Sequence, residues 1–291
     1  TEFIKRINIL VGGNLIDTIP EHWITIYNEL TLNEEKKNYF NELTGNTYEL
    51  HSKKGNKAAK TLYIPLPLFF SKSPGTAIPL VALQYHELEL HIEFNPITDM
   101  YSGTPTETLD ISEISLDIEY IFLESEERDR FARVDHQYLI DTIQFTKFSD
   151  ISPNANLELK LQHPIKEFIF VLQKDDINNV DSKQHSNFTS NHLDEFSGND
   201  ILTSGKLQIN GNDRFQEINL EHFKLIQPFQ HHSSSPSVEY YKKEIININM
   251  SINGANTKYI AIPRDMDLIK ASCVIDGAIN KINQSRADLG A

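Results

Sequence analysis

Alternation with a period of two runs through this sequence and limits what the chain can fold into more than any other feature. Between Ser112 and Leu123, the residues Ile114, Leu116, Ile118, Tyr120 and Phe122 share one face, and Glu113, Ser115, Asp117 and Glu119 share the other. Successive side chains of an extended backbone point to opposite sides, so the pattern predicts a strand with one covered face and one wet face. Leu88, Leu90, Ile92 and Phe94 repeat it against Glu87, Glu89, His91 and Glu93. So do Ile7, Ile9 and Val11, then Leu157, Leu159 and Leu161, and finally Ile246, Ile248, Met250 and Ile252 against Asn247, Asn249 and Ser251. The denser run Ile165–Leu172 predicts a strand covered on both faces. Clusters of Gly, Pro, Asn and Ser separate these segments, so the chain reads as mainly β and mostly antiparallel.

Helical spacing is confined to three places. Pro20 opens one predicted helix carrying Trp23, Ile26, Tyr27 and Leu30; Asn33 caps a second with Tyr39, Phe40 and Leu43, stopped by Gly45. Ile275, Ile279, Ile282 and Leu289 predict an amphipathic helix at the end. Lys174–Gly198 and His231–Ser237 are polar and aperiodic and read as exposed loops. The charge run Glu124–Arg130 reads as a solvated linker and marks the expected domain boundary.

The length of 291 residues fits one large unit or two ordinary domains, and 39% apolar residues suffice for real cores. A net charge of −14 opposes direct binding to nucleic acid, which calls for a basic face. The single cysteine, Cys273, excludes an intramolecular disulfide and reads as a small buried hydrophobe. No apolar run approaches the roughly 20 residues that cross a bilayer. The chain opens on Thr1 with no signal-peptide pattern, and reads as part of a longer one.

The eleven histidines and the acidic residues are the groups that could carry chemistry. No His-x-His pair occurs; His231 and His232 are adjacent, and His86 and His91 five apart, so on a strand each pair would face opposite ways. Walker A, G-x-G-x-x-G, G-x-S-x-G and H-E-x-x-H are missing. Gly12-Gly13 reads as a tight turn, and the Glu87, Glu89 and Glu93 row as a strand's wet face. Asn187, Asn249 and Asn283 head N-x-S/T sequons. No catalytic, cofactor or metal residue is expected.

Leu62–Phe94 reads LYIPLPLFFSKSPGTAIPLVALQYHELELHIEF. It contains the block Ile64-Pro65-Leu66-Pro67-Leu68-Phe69-Phe70 and the segment Pro79 to Tyr85-His86-Glu87. With Gly12–Asn28, Arg130–Phe145, His163–Gln173 (beginning His163-Pro164) and Leu207–His232 (with Asn210, Gly211, Arg214 and Phe215), it resembles the major capsid protein of nucleocytoplasmic large DNA viruses. Prolines at 65, 67 and 79 suit strand starts and wall loops, and Asn210-Gly211 is a tight-turn signal. The resemblance implies two side-by-side jelly-roll sandwiches, incomplete at both ends, few short helices, and no enzyme activity. It also implies a homotrimeric, pseudo-hexagonal capsomer of an icosahedral shell, contacting neighbouring capsomers and minor capsid proteins over an internal membrane, within the virion. The expected division is residues 1–124 for the first jelly roll, 125–135 for a linker, 136–238 for the second and 239–291 for a tail. The family's first strands have no counterpart before Thr1, and the family pattern is lost after His232. Ile275–Ala291 instead resembles the C-terminal helix of bacterial flagellins. A β-sandwich binding module for carbohydrate or protein is the alternative, and a cupin-like metalloenzyme is opposed by the missing His-x-His.

Overall fold

A computed structural model describes residues 1–51, 59–101, 111, 113–151, 154–174, 185–191, 199–232, 245–252, 255–258 and 266–276. Strands β1 (Ile4–Val11) and β2 (Asn14–Pro20) form a hairpin, and β1 also pairs antiparallel with β3 (Leu88–Phe94), in the order β2-β1-β3. Ile7, Ile9 and Val11 are buried as their alternation predicts. Ile4 is buried too, although its parity differs, because the β1–β3 register shifts between Ile4 and Arg6 and returns it to the inner face.

Between β2 and β3 lie α1 (Trp23–Thr31), α2 (Glu34–Thr44) and the single turn α3 (Tyr48–His51). Pro20 does not open α1; it ends β2, and His22 stands at the helix N-cap in a left-handed conformation with φ 66°. The second helix forms as its signals require. Asn33 Oδ1 accepts the Lys36 amide at 3.0 Å, and Gly45 closes the helix at φ 76°.

The second sheet has the order β4-β10-β5-β8-β9, built from β4 (Asp141–Ile151), β5 (Ile165–Gln173), β8 (Ile245–Ile252), β9 (Ala255–Lys258) and β10 (Met266–Asp276). Its centre is β5, where Phe168 to Gln173 are buried without a break. Three of the five strands come from beyond residue 238, so the expected tail joins the sheet. Ile275 pairs with Thr142 and Ile165 on β10 rather than opening a helix. Ile279, Ile282, Leu289 and Asn283 lie outside the described residues. Strands β6 (Ser204–Ile209) and β7 (Asn212–Asn219) form a separate hairpin, followed by a π-type turn at His222–Ile226 and α5 (Gln227–His231). His231 and His232 thus stand at a helix end, not on a strand.

One contiguous core joins β1, β2, α1 and Leu68 to β5, Phe188, Leu202, Leu207, Leu220 and Phe223. Two alternating segments form no ladder. Residues 155–162 are irregular, yet Leu157, Leu159 and Leu161 still turn onto the core. The segment 113–124 is also outside any strand, and its apolar residues from Ile114 to Phe122 are exposed, from 47% at Leu116 to 93% at Phe122. Alternation supplies a face for a strand, but a strand also needs a hydrogen-bonding neighbour, and among the described residues none pairs with this one. The charge run after it is a helix, α4 (Ser125–Arg133), with no buried residue, and so is solvated as expected but not irregular.

Candidate functional site

The motif residues fall into four structural tasks. At the β1–β2 turn, Gly12 and Gly13 take φ 57° and 79°, the left-handed pair that a two-residue hairpin uses. The Gly12 amide donates to the Glu87 carbonyl at 2.9 Å, and a Cβ on Gly12 would stand 2.3 Å from Cδ2 of His86. The half-buried His86 ring therefore covers the glycine turn, while Tyr85 beside it is 92% exposed. His86 precedes β3 and does not share a strand with His91. Gly12→Ala is expected to destabilise the chain by at least about 1–2 kcal/mol from the backbone alone, with ring displacement adding to it. An unchanged urea midpoint would show that the turn and the ring adapt without cost.

In the Ile64–Phe70 block only Leu68 is buried, at 4% exposure. Ile64, Leu66, Phe69 and Phe70 pack half-buried against the core, the two rings edge to face at 5.1 Å. Pro65 is exposed, Pro67 half-buried, and the block forms no strand, as prolines without an amide donor allow. The Pro79 carbonyl accepts the Ala82 amide in a turn. His163, at φ 71°, and exposed Pro164 lead into β5. Asn210 and Gly211, at φ 52° and 80°, close the β6–β7 hairpin, with Ile209 opposite Asn212. Arg214 is exposed on β7, and Phe215 lies 5.6 Å from the buried Phe223.

Where β2, α1, β4 and β5 converge, they line a partly open pocket of about 340 Å³. Trp23, Tyr27, Pro67 and Phe69 make its apolar wall. At its rim Asp141 receives the ammonium groups of Lys72, at 3.3 Å, and of Lys166, and His232 meets Glu167 at 2.5 Å. Asp17 Oδ1 also accepts the Ile143 amide at 3.0 Å, tying β2 to β4.

A second polar junction was not foreseen from sequence. The buried His22 Nδ1 lies 2.5 Å from Oε2 of Glu2, while Oε1 accepts the hydroxyls of Thr25, at 3.0 Å, and Ser186. Burial opposes ionisation of Glu2, but the facing His22 and the hydroxyl of Ser186 outweigh it and hold the carboxyl well below its ordinary range. Ser186 belongs to 185–191, the middle of the stretch expected to be an exposed loop. In that stretch Asn187, Phe188 and Thr189 are instead buried, and Asn187 Nδ2 donates to the Asn191 carbonyl. The sequon at Asn187 is thus turned inward. The carboxylate, not the imidazole, accepts the serine hydroxyl, so the contact that activates a serine nucleophile is not formed here. Among the described residues, no group of three or more His, Cys, Asp or Glu is placed to hold a metal, and no helix is long and apolar enough to cross a membrane. What the described surface does offer is apolar contact area: the row from Ile114 to Phe122, followed by Val134 at 52% and Leu139 at 65% exposure.

Two family models match the chain in succession: "Major capsid protein N-terminus" over residues 1–124 and "Large eukaryotic DNA virus major capsid protein" over 127–242. The chain belongs to the major capsid protein family of large eukaryotic DNA viruses. The major capsid protein of Pyramimonas orientalis virus is 33% identical over 240 residues, spanning 81% of this chain and 55% of that protein. That of Paramecium bursaria Chlorella virus 1 is 29% identical over 273 residues, spanning 79% and 57%. This chain therefore spans a little over half the length of these two major capsid proteins.

Solved structures agree on the fold. A quasi-atomic model of the PBCV-1 virus capsid superposes with a TM-score of 0.62 at 22% identity, covering 97% of this chain and 74% of its own. The Faustovirus major capsid protein gives 0.63 at 12% identity, covering 94% and 71%. The fold of this major capsid protein family member is accordingly mainly β and of the jelly-roll class.

Proposed function

We propose that this chain is a structural subunit of the shell of an icosahedral large DNA virus, located in the virion and without catalytic activity. The observation that carries the reading is the ordered match of both halves of the chain, 1–124 and 127–242, to major capsid protein models. In this reading the first jelly roll ends near Glu124, α4 lies in the linker 125–135, and the second jelly roll starts near His136. That unit extends beyond residue 238 through β8 and β10. The exposed row Ile114–Phe122 then belongs to the first jelly roll. Three copies form the pseudo-hexagonal capsomer, which meets neighbouring capsomers and minor capsid proteins above an internal membrane. The charge of −14 keeps the shell from binding the genome directly.

Light scattering of the purified chain tests the reading. A trimer of about 100 kDa, three times 33.4 kDa, is the expected result. A monodisperse monomer that binds an immobilised glycan would favour the β-sandwich binding module instead.

A further inference from the structure

We infer that the Glu2–His22 junction is an acid-sensitive latch that holds the segment 185–191 against the N-terminal sheet. The geometry brings together three parts of the chain far apart in sequence. Glu2 precedes β1, His22 and Thr25 flank the start of α1, and Ser186 comes from the second half, 184 residues from Glu2. One carboxylate serves all three: Oε2 faces His22 Nδ1 at 2.5 Å, and Oε1 accepts Thr25 and Ser186. Phe188, fully buried, sets its ring edge to face against His22 at 5.8 Å. The Glu2 carbonyl also accepts Asn95 Nδ2 at 2.8 Å, which adds the end of β3.

The titratable and charged groups around the latch are few. His22 acts on Glu2 directly. Glu21 Oε1 stands 3.6 Å from His22 Nε2 on the far side of the ring. From the segment itself His185 turns away, its Nε2 against the Asp99 carbonyl at 2.7 Å. A proton on Glu2 removes the negative charge that His22, Thr25 and Ser186 address. A neutral carboxyl group still fits the space, but it no longer sets a negative charge against His22 Nδ1 and must turn one oxygen from acceptor to donor. His22 is at the same time held at φ 66°, a conformation uncommon for a non-glycine residue. Loss of the pair therefore frees the helix start and the 185–191 segment together.

Trp23, the only tryptophan of the chain, follows His22 directly and is 3% exposed, so its fluorescence reports on the latch. The full chain is titrated from pH 7 towards pH 3, with Trp23 emission and far-ultraviolet circular dichroism read together. The expected result is a reversible red shift of emission at a higher pH than the loss of β signal. Ser186→Ala, which removes one donor to the carboxylate, moves that shift to higher pH. Glu2→Gln shows the shifted emission already at pH 7 and no step on acidification. The proposal is overturned if emission moves only with global unfolding, or if Ser186→Ala titrates as the wild type does. Neither outcome bears on the shell reading, which the solution mass tests separately.

Discussion

Phe188→Ala is expected to lower the unfolding free energy by about 3–5 kcal/mol, the range for emptying a fully enclosed phenylalanine site. The ring is 0% exposed, lies against His22, and is flanked by Asn187 and Thr189, themselves at 0% and 1%. Asn187 Oδ1 accepts both the amide and the hydroxyl of Thr189, so this stretch is tied to itself and cannot collapse easily into the vacated space. Phe229, 85% exposed in the middle of α5, supplies the control: Phe229→Ala removes the same atoms and is expected to change stability by no more than about 0.5 kcal/mol. Urea unfolding of the two variants decides the matter. Equal midpoints would place Phe188 outside the core.

His22→Ala is expected to cost about 1–3 kcal/mol near neutral pH, because it removes the buried imidazole that faces the half-buried carboxylate of Glu2 and leaves that oxygen without its partner. The direction of its pH dependence follows from Glu2. Burial acts against ionisation, but His22 and Ser186 hold its carboxyl well below the ordinary glutamate range. Stability from that ionised form is complete above the unfolded value of about 4.3 and is lost as the pH falls through the lower folded value. In the variant, burial without the imidazole favours the protonated acid, so acidification relieves it while it weakens the wild type. The difference in melting temperature between the two should therefore be largest near pH 7 and shrink below pH 4. A constant difference across that range would show that His22 contributes by packing alone.

Local order was legible where neighbours in sequence settle the outcome. The caps at Asn33 and Gly45, the turns at Gly12-Gly13 and Asn210-Gly211, and the strands around Ile9, Ile92 and Phe170 each depend on residues within a few positions, or on burial that the sequence displays as a period. The segment 113–124 shows the limit of this reasoning. Its alternation is as regular as that of β3, yet β3 has β1 to pair with, whereas no partner for 113–124 is among the described residues. Pro20 shows another limit: the same residue suits the first turn of a helix or the end of an edge strand, and pairing with Arg6 placed it in the strand.

The order of the motif blocks along the chain identified the family, because it needs only identity and sequence position. The composition and the period of two settled the β class by the same local means. The tertiary structure alone decided that 185–191 enters the core, that Ile275 pairs in a strand, and that Glu2 meets His22 and Ser186. Each of these rests on contacts between residues tens to nearly two hundred positions apart, where solvent exclusion and charge pairing depend on which surfaces meet. A polar stretch such as Ser186–Thr189 carries no periodic signal of burial, since its polar groups are satisfied by partners that only the folded chain supplies.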